Sequence, residues 1–154
     1  MVKEDTVKLL RECNLGIKMG IGSLNDVLDK VENKDLEDKL KKSRNEHEDL
    51  ETETQMLLNR YGDEEKQPNI MAKGMSWIKT NVMLGIDESD KTVAGLITDG
   101  CNMGIKTING YLNEYSEADE KIKDIAYKII DLENTLLENV KEYLWLQKEK
   151  TFCF

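Results

Sequence analysis

His47 is the only histidine in the chain, and its neighbours place it on the inner side of a helix. Leu36, Leu40, Ser43, His47, Leu50, Thr54, Leu57 and Tyr61 follow one another at alternating steps of four and three, which keeps them on one helical face. An imidazole in a core has two uses: it ligates a metal, or it bonds to a carboxylate. Glu133, at the corresponding core position of a later helix, and Glu51, one turn beyond His47, are the other candidate ligands. Such a nitrogen and oxygen set suits iron, manganese or zinc. The competing role is a buried histidine hydrogen-bonded to Glu133, because burial without a partner is costly. One histidine with one or two carboxylates makes an incomplete metal site.

Cys13, Asn14, Cys101 and Asn102 form a second group. Shifted by 88 residues, Cys13-Asn14-Leu15-Gly16-Ile17-Lys18 lies over Cys101-Asn102-Met103-Gly104-Ile105-Lys106, and Gly22, Leu24 and Asn25 lie over Gly110, Leu112 and Asn113; eight of thirteen positions match. A shift of 86 places His47 on Glu133 and Leu50 on Leu136. Two copies of one helical hairpin, related by an approximate two-fold axis, would bring these residues to a central polar layer. The two cysteines read as core fillers or as a soft-metal pair, and the asparagines as hydrogen-bonding groups that set helix register or as relics of ligands. Glycine inside a helix costs about 1 kcal/mol relative to alanine, so Gly16, Gly20, Gly100 and Gly104 imply close helix approach or room for a bulky group.

Four long helices must position these groups. The first starts near Thr6 and carries Leu10, Cys13, Ile17, Gly20, Leu24, Val27 and Val31; Asn33 and Lys34 break it from the second, which stops at Gly62. A polar stretch with Pro68 follows, then a short crossing helix with Met71, Met75, Ile78 and Val82 on one side and Trp77 near its middle. Asp87 and Asp90 mark the start of the third helix, which holds Ala94, Thr98, Cys101, Ile105, Ile108 and Leu112; Ser116 and Asp119 mark the start of the fourth, which holds Ile122, Ala126, Ile129, Glu133, Leu136, Val140 and Tyr143. The expectation is one all-α domain over residues 1–154: hairpin one at 3–62, a crossover at 63–87 and hairpin two at 88–150, packed as an antiparallel four-helix bundle.

Bulk properties narrow the function. A net charge of −9 and the lack of a basic stripe argue against nucleic acid. No apolar run is long enough to span a bilayer, and residues 1–8 are charged where a signal peptide is apolar, so no membrane association and a cytoplasmic location are expected. Three cysteines without metal-site spacing are expected to be reduced thiols. No nucleophile with an adjacent base and no phosphate-binding glycine loop is found, which leaves hydrolysis without support. The apolar ending Tyr143, Trp145, Phe152 and Phe154, and the methionine-rich crossing helix, are candidate surfaces for homo-oligomer contact or for packing on the bundle itself. The acidic run of Glu46, Glu48, Asp49, Glu51 and Glu53 reads as a solvated helix face.

With two hairpins, a long crossover and central polar residues on all four helices, the chain resembles the ferritin-like superfamily, and within it a bacterial family of small bundles catalogued as a domain of unknown function. In the metal-binding members one glutamate comes from each of two helices and a Glu-x-x-His from each of the other two. Here Asn14 and Asn102 stand nearest the first two positions, Arg44 precedes His47 by three, and Ile130 precedes Glu133 by three. The resemblance therefore implies the scaffold without an intact di-iron centre: a non-enzymatic structural or interaction protein. The alternative is a metal-binding protein, a storage protein or oxidoreductase, with a reduced site around His47 and Glu133.

Overall fold

Long runs of helix-forming residues, with apolar positions three and four apart, fold into four helices in a computed structural model that describes residues 3–62 and 89–144. Helix α1 spans Glu4–Leu28, α2 Lys34–Arg60, α3 Asp90–Glu114 and α4 Glu120–Val140, with a closing 3-10 turn at Lys141–Tyr143. No strand occurs among the described residues. The expected crossing helix around Trp77, and the aromatic residues from Trp145 onward, lie outside the described residues.

Capping chemistry sets the helix ends. Asn33 closes the first turn of α2, its side chain accepting a hydrogen bond from the Leu36 amide at 3.0 Å. Gly62, with φ of 72°, follows the end of α2 in the left-handed region that glycine enters without a Cβ penalty. The cap of α3 is Ser89, whose Oγ accepts from the Thr92 amide at 3.3 Å; Asp87, expected as the cap, lies outside the described residues. Asp90 stands in the acidic first turn and also reaches the turn between α1 and α2, where its carboxylate accepts the backbone amides of Glu32 at 2.9 Å and Asn33 at 3.0 Å. The other hairpin is held in the same manner. Asp5 accepts the Glu117 amide at 3.0 Å and Thr6 the Asp119 amide at 2.8 Å, so the start of α1 ties down the turn between α3 and α4. Asp119 precedes α4 without a side-chain cap bond, which leaves the Ser116 and Asp119 signature unused.

These two clamps define the topology. The start of α3 meets the end of α1, and the start of α1 meets the end of α3, so these two helices are antiparallel and the four run up, down, down, up. Helix α2 therefore ends at the opposite end of the bundle from where α3 begins. Each hairpin packs on itself, α2 packs on α4, α1 packs on α3, and α1 also meets α4 across the diagonal.

The core divides into two clusters. One joins Leu24, Val27, Leu36, Leu40, Val93, Ile97, Leu136 and Val140; the other joins Leu9, Leu10, Cys13, Ile17, Leu58, Ile108, Ile122 and Ile125. Burying each large aliphatic side chain contributes roughly 1.5–3 kcal/mol, so both clusters drive association of the helices. A 3-10 turn closes the first: the Tyr143 hydroxyl donates to the Asp35 carboxylate, and Lys39 bridges Glu142 at 2.7 Å and Asp35 at 3.1 Å. Replacing Asp90 with alanine leaves two turn amides without their carboxylate, and a loss of about 1–2 kcal/mol is expected in urea unfolding, with helix content at zero urea unchanged.

Candidate functional site

Between the two apolar clusters lies a thin polar layer to which each helix contributes one residue: Gly20 from α1, His47 from α2, Gly104 from α3 and Glu133 from α4. His47 Nε2 lies 2.9 Å from Glu133 Oε1, and His47 Nδ1 lies 2.8 Å from the carbonyl oxygen of Ser43. A carbonyl only accepts, so Nδ1 carries a hydrogen and donates to it. Nε2 then donates to the Glu133 carboxylate only when the ring is doubly protonated. The His47 side chain is 2% exposed and that of Glu133 13%, so the contact is shielded from water.

Gly20 creates the space. A Cβ at position 20 would stand 3.0 Å from His47 Cδ2 and 3.1 Å from Nε2, closer than a packed ring tolerates. At position 104 the nearest atom is Glu133 Oε2, at 3.6 Å. Of the two, Gly20 is the one whose missing Cβ makes room for a ring; at 104 a Cβ would make ordinary van der Waals contact with the carboxylate of its hairpin partner. Gly16 lies by Ile108, while Gly100 faces open space.

Burial is the largest influence on His47 and lowers its proton affinity, but the Glu133 hydrogen bond and charge, with the Ser43 carbonyl, outweigh it and hold the imidazole above its ordinary pKa of 6.5. That shift favours the ring that donates from both nitrogens, to the Ser43 carbonyl and to Glu133. Cys101, on α3, meets the same carboxylate, and burial, the charge of Glu133 and a hydrogen bond to it hold the thiol in its neutral form. Burial also pushes the Cys13 thiol up to about 12. Neither cysteine has the thiolate character that nucleophilic or redox chemistry needs.

Other expected members of the layer are placed elsewhere. Cys13 belongs to the cluster below the layer and Cys101 to the one above it, so the two thiols are separated by the polar pair and do not form a soft-metal site. Asn14 is buried two turns from His47, its amide donating to Thr54 Oγ1 at 2.9 Å, and Thr54 in turn donates to the Glu51 carbonyl at 3.0 Å. Asn102 is exposed. The difference lies in cover: α1 packs against three helices and exposes no residue from Asp5 to Leu24, whereas the outer side of α3 is open at Asp99, Gly100, Asn102 and Met103. Glu51 does not complete a ligand set with His47 and Glu133; it is half-buried and supports the charge of Lys18 on α1. Among the described residues no group of three histidine, cysteine, aspartate or glutamate side chains is arranged to hold a metal ion. The two glycines as partners of the pair had a sequence signal in their cost within a helix, whereas the end clamps Asp5, Thr6 and Asp90 had none, since their partners lie far away in the chain.

This arrangement is shared at the level of fold. The chain is similar to a solved bacterial helical structure. That structure is a DUF305 fragment from Deinococcus radiodurans; it superposes with a TM-score of 0.70 over 93% of this chain and 97% of the other, at 10% sequence identity. The likeness is one of backbone architecture and carries no residue roles with it. No family model matches the chain, and no curated protein does. No described helix is long and apolar enough to cross a membrane.

The geometry of the layer can be probed by substitution and by pH. Gly20→Ala is expected to destabilise by about 1–3 kcal/mol through the clash with His47, whereas Gly95→Ala, which meets nothing within 4 Å, is expected to gain up to about 1 kcal/mol of helix propensity; urea titration of both reads the contrast. The His47 proton gives a pH signature. Because its folded pKa is raised, its stabilising contribution is full below about 6.5 and is lost as pH rises through the folded value. The unfolding midpoint is expected to fall as pH rises above about 6.5, and His47→Gln is expected to flatten that fall.

Proposed function

We propose that the chain is a non-enzymatic structural or interaction bundle on a ferritin-like scaffold, with the His47–Glu133 contact serving to lock its helices and not to ligate or catalyse. One observation carries this: both nitrogens of His47 are already engaged, Nδ1 by Ser43 O and Nε2 by Glu133 Oε1, so a metal at Nε2 would have to displace the Glu133 contact. A metal ligand needs a neutral imidazole with one free nitrogen, and the carboxylate beside it stabilises the opposite state. The neutral thiol of Cys101 and the closed packing of Gly20 against the ring support the same reading.

A metal-binding protein, or an oxidoreductase built on His47 and Glu133, is the competing reading. Elemental mass spectrometry on protein purified without chelator separates the two, run beside His47→Ala. The structural reading expects no stoichiometric iron, manganese or zinc in either protein. It also expects the variant to lose about 3–5 kcal/mol, as when one member of a buried ion pair is removed. One metal per chain in the parent, absent from the variant, would overturn it.

A further inference from the structure

Charge on α2 is divided along its length. Residues 34–44 carry five cations, Lys34, Lys39, Lys41, Lys42 and Arg44, against three anions; residues 46–53 carry five anions and no cation. Among the described residues Lys39 reaches Asp35 and Glu142, Lys34 lies near Glu37 and Asp38, Lys41 lies near Glu37 on its own helix, and Arg44 donates to Asn25. The outward stripe of α2, at Lys34, Asp38, Lys41, Lys42, Asn45, Glu48, Asp49, Thr52 and Met56, is exposed throughout, and its steps of three and four keep it on one face. Asn45 sits at the point where the sign changes.

A surface that is basic on one side of a point and acidic on the other is complementary to itself when turned by 180° about that point. We propose that the outer face of α2 is a self-association surface whose partner is a second copy of this chain, docked antiparallel with the two-fold axis at Asn45. In that register Lys41 lies opposite the partner's Asp49 and Lys42 opposite the partner's Glu48, and the symmetry repeats both pairs. Asn45 meets its own copy on the axis, where a polar side chain sets register. Lys34 lies opposite the partner's Met56, whose exposure of 58% makes it one of the few large apolar side chains on the surface, and the lysine stem covers it.

The net charge of −9 on each chain opposes any such contact, but at about 0.1 M salt the screening length is about 10 Å, so whole-molecule repulsion is damped while contacting pairs persist. Exposed ion pairs are individually weak, and the dimer is therefore a weak one. The proposal deepens the reading of an interaction bundle by naming the partner, and it uses no residue of the central layer. A metal found at His47 would overturn the earlier reading and leave this one standing.

Charge exchange tests it. Sedimentation velocity at about 0.1 M salt is run on the wild type, on Lys41→Glu with Lys42→Glu, on Glu48→Lys with Asp49→Lys, on the two variants mixed, and on a chain carrying all four changes, each checked as folded by circular dichroism. Each double variant alone sets like charges opposite each other, and its self-association constant is expected to fall by about tenfold or more relative to the wild type. The mixture restores every opposite-charge pair and is expected to form a heterodimer, while the fourfold variant recovers the homodimer. A wild type that stays monomeric up to its solubility limit would overturn the proposal, as would double variants that associate like the wild type or fail to pair when mixed.

Discussion

Everything at the centre of the bundle depends on a charged hydrogen bond between His47 and Glu133, made where two apolar clusters meet. Removing an imidazolium and a carboxylate from water is costly, and the cost is offset only when both partners are in place and the remaining polar atoms are satisfied. Ser43 supplies the second acceptor for the ring, and the Cys101 thiol meets the carboxylate. Slippage of α2 against α4 by one turn would part the pair and leave both charges buried alone. The contact thus acts on helix register more than on the total of stabilising energy, in the way a buried polar residue sets register in a coiled coil.

Gly20 follows from that constraint: helix α1 gives up propensity there so that the His47 ring fits against its backbone. The ends of the bundle are fixed by different means, backbone amides of each turn captured by side chains at the start of a helix from the other hairpin. Centre and ends together join the two hairpins into a single packed unit.

The ferritin-like resemblance and the solved Deinococcus radiodurans structure concern the same level of description, the path of the backbone. Chemistry belongs to side chains placed on that path. In this chain the central side chains neutralise one another, and the surface carries the unbalanced charge: an acidic whole with a single helix divided between cations and anions.

The four helices were legible in the sequence because burial of an amphipathic face imposes steps of three and four, and because Asn33 and Gly62 mark ends with local chemistry. His47 and Glu133 were legible as inward residues for the same reason. Periodicity says which side of a helix a residue occupies, but not which residues of other helices stand opposite it. Opposition was decided by packing: the cost of glycine in a helix marked Gly16 and Gly20 alike, and the structure set Gly20 against the His47 ring and Gly16 beside Ile108, a choice that leaves no trace in sequence spacing. Asn14 and Asn102, alike in local sequence, diverged because α1 packs against three helices at Asn14 whereas the outer side of α3 is open at Asn102. Local pattern determined the elements and their inner faces; the height at which they meet, and hence which polar groups find partners, was decided only when the helices packed.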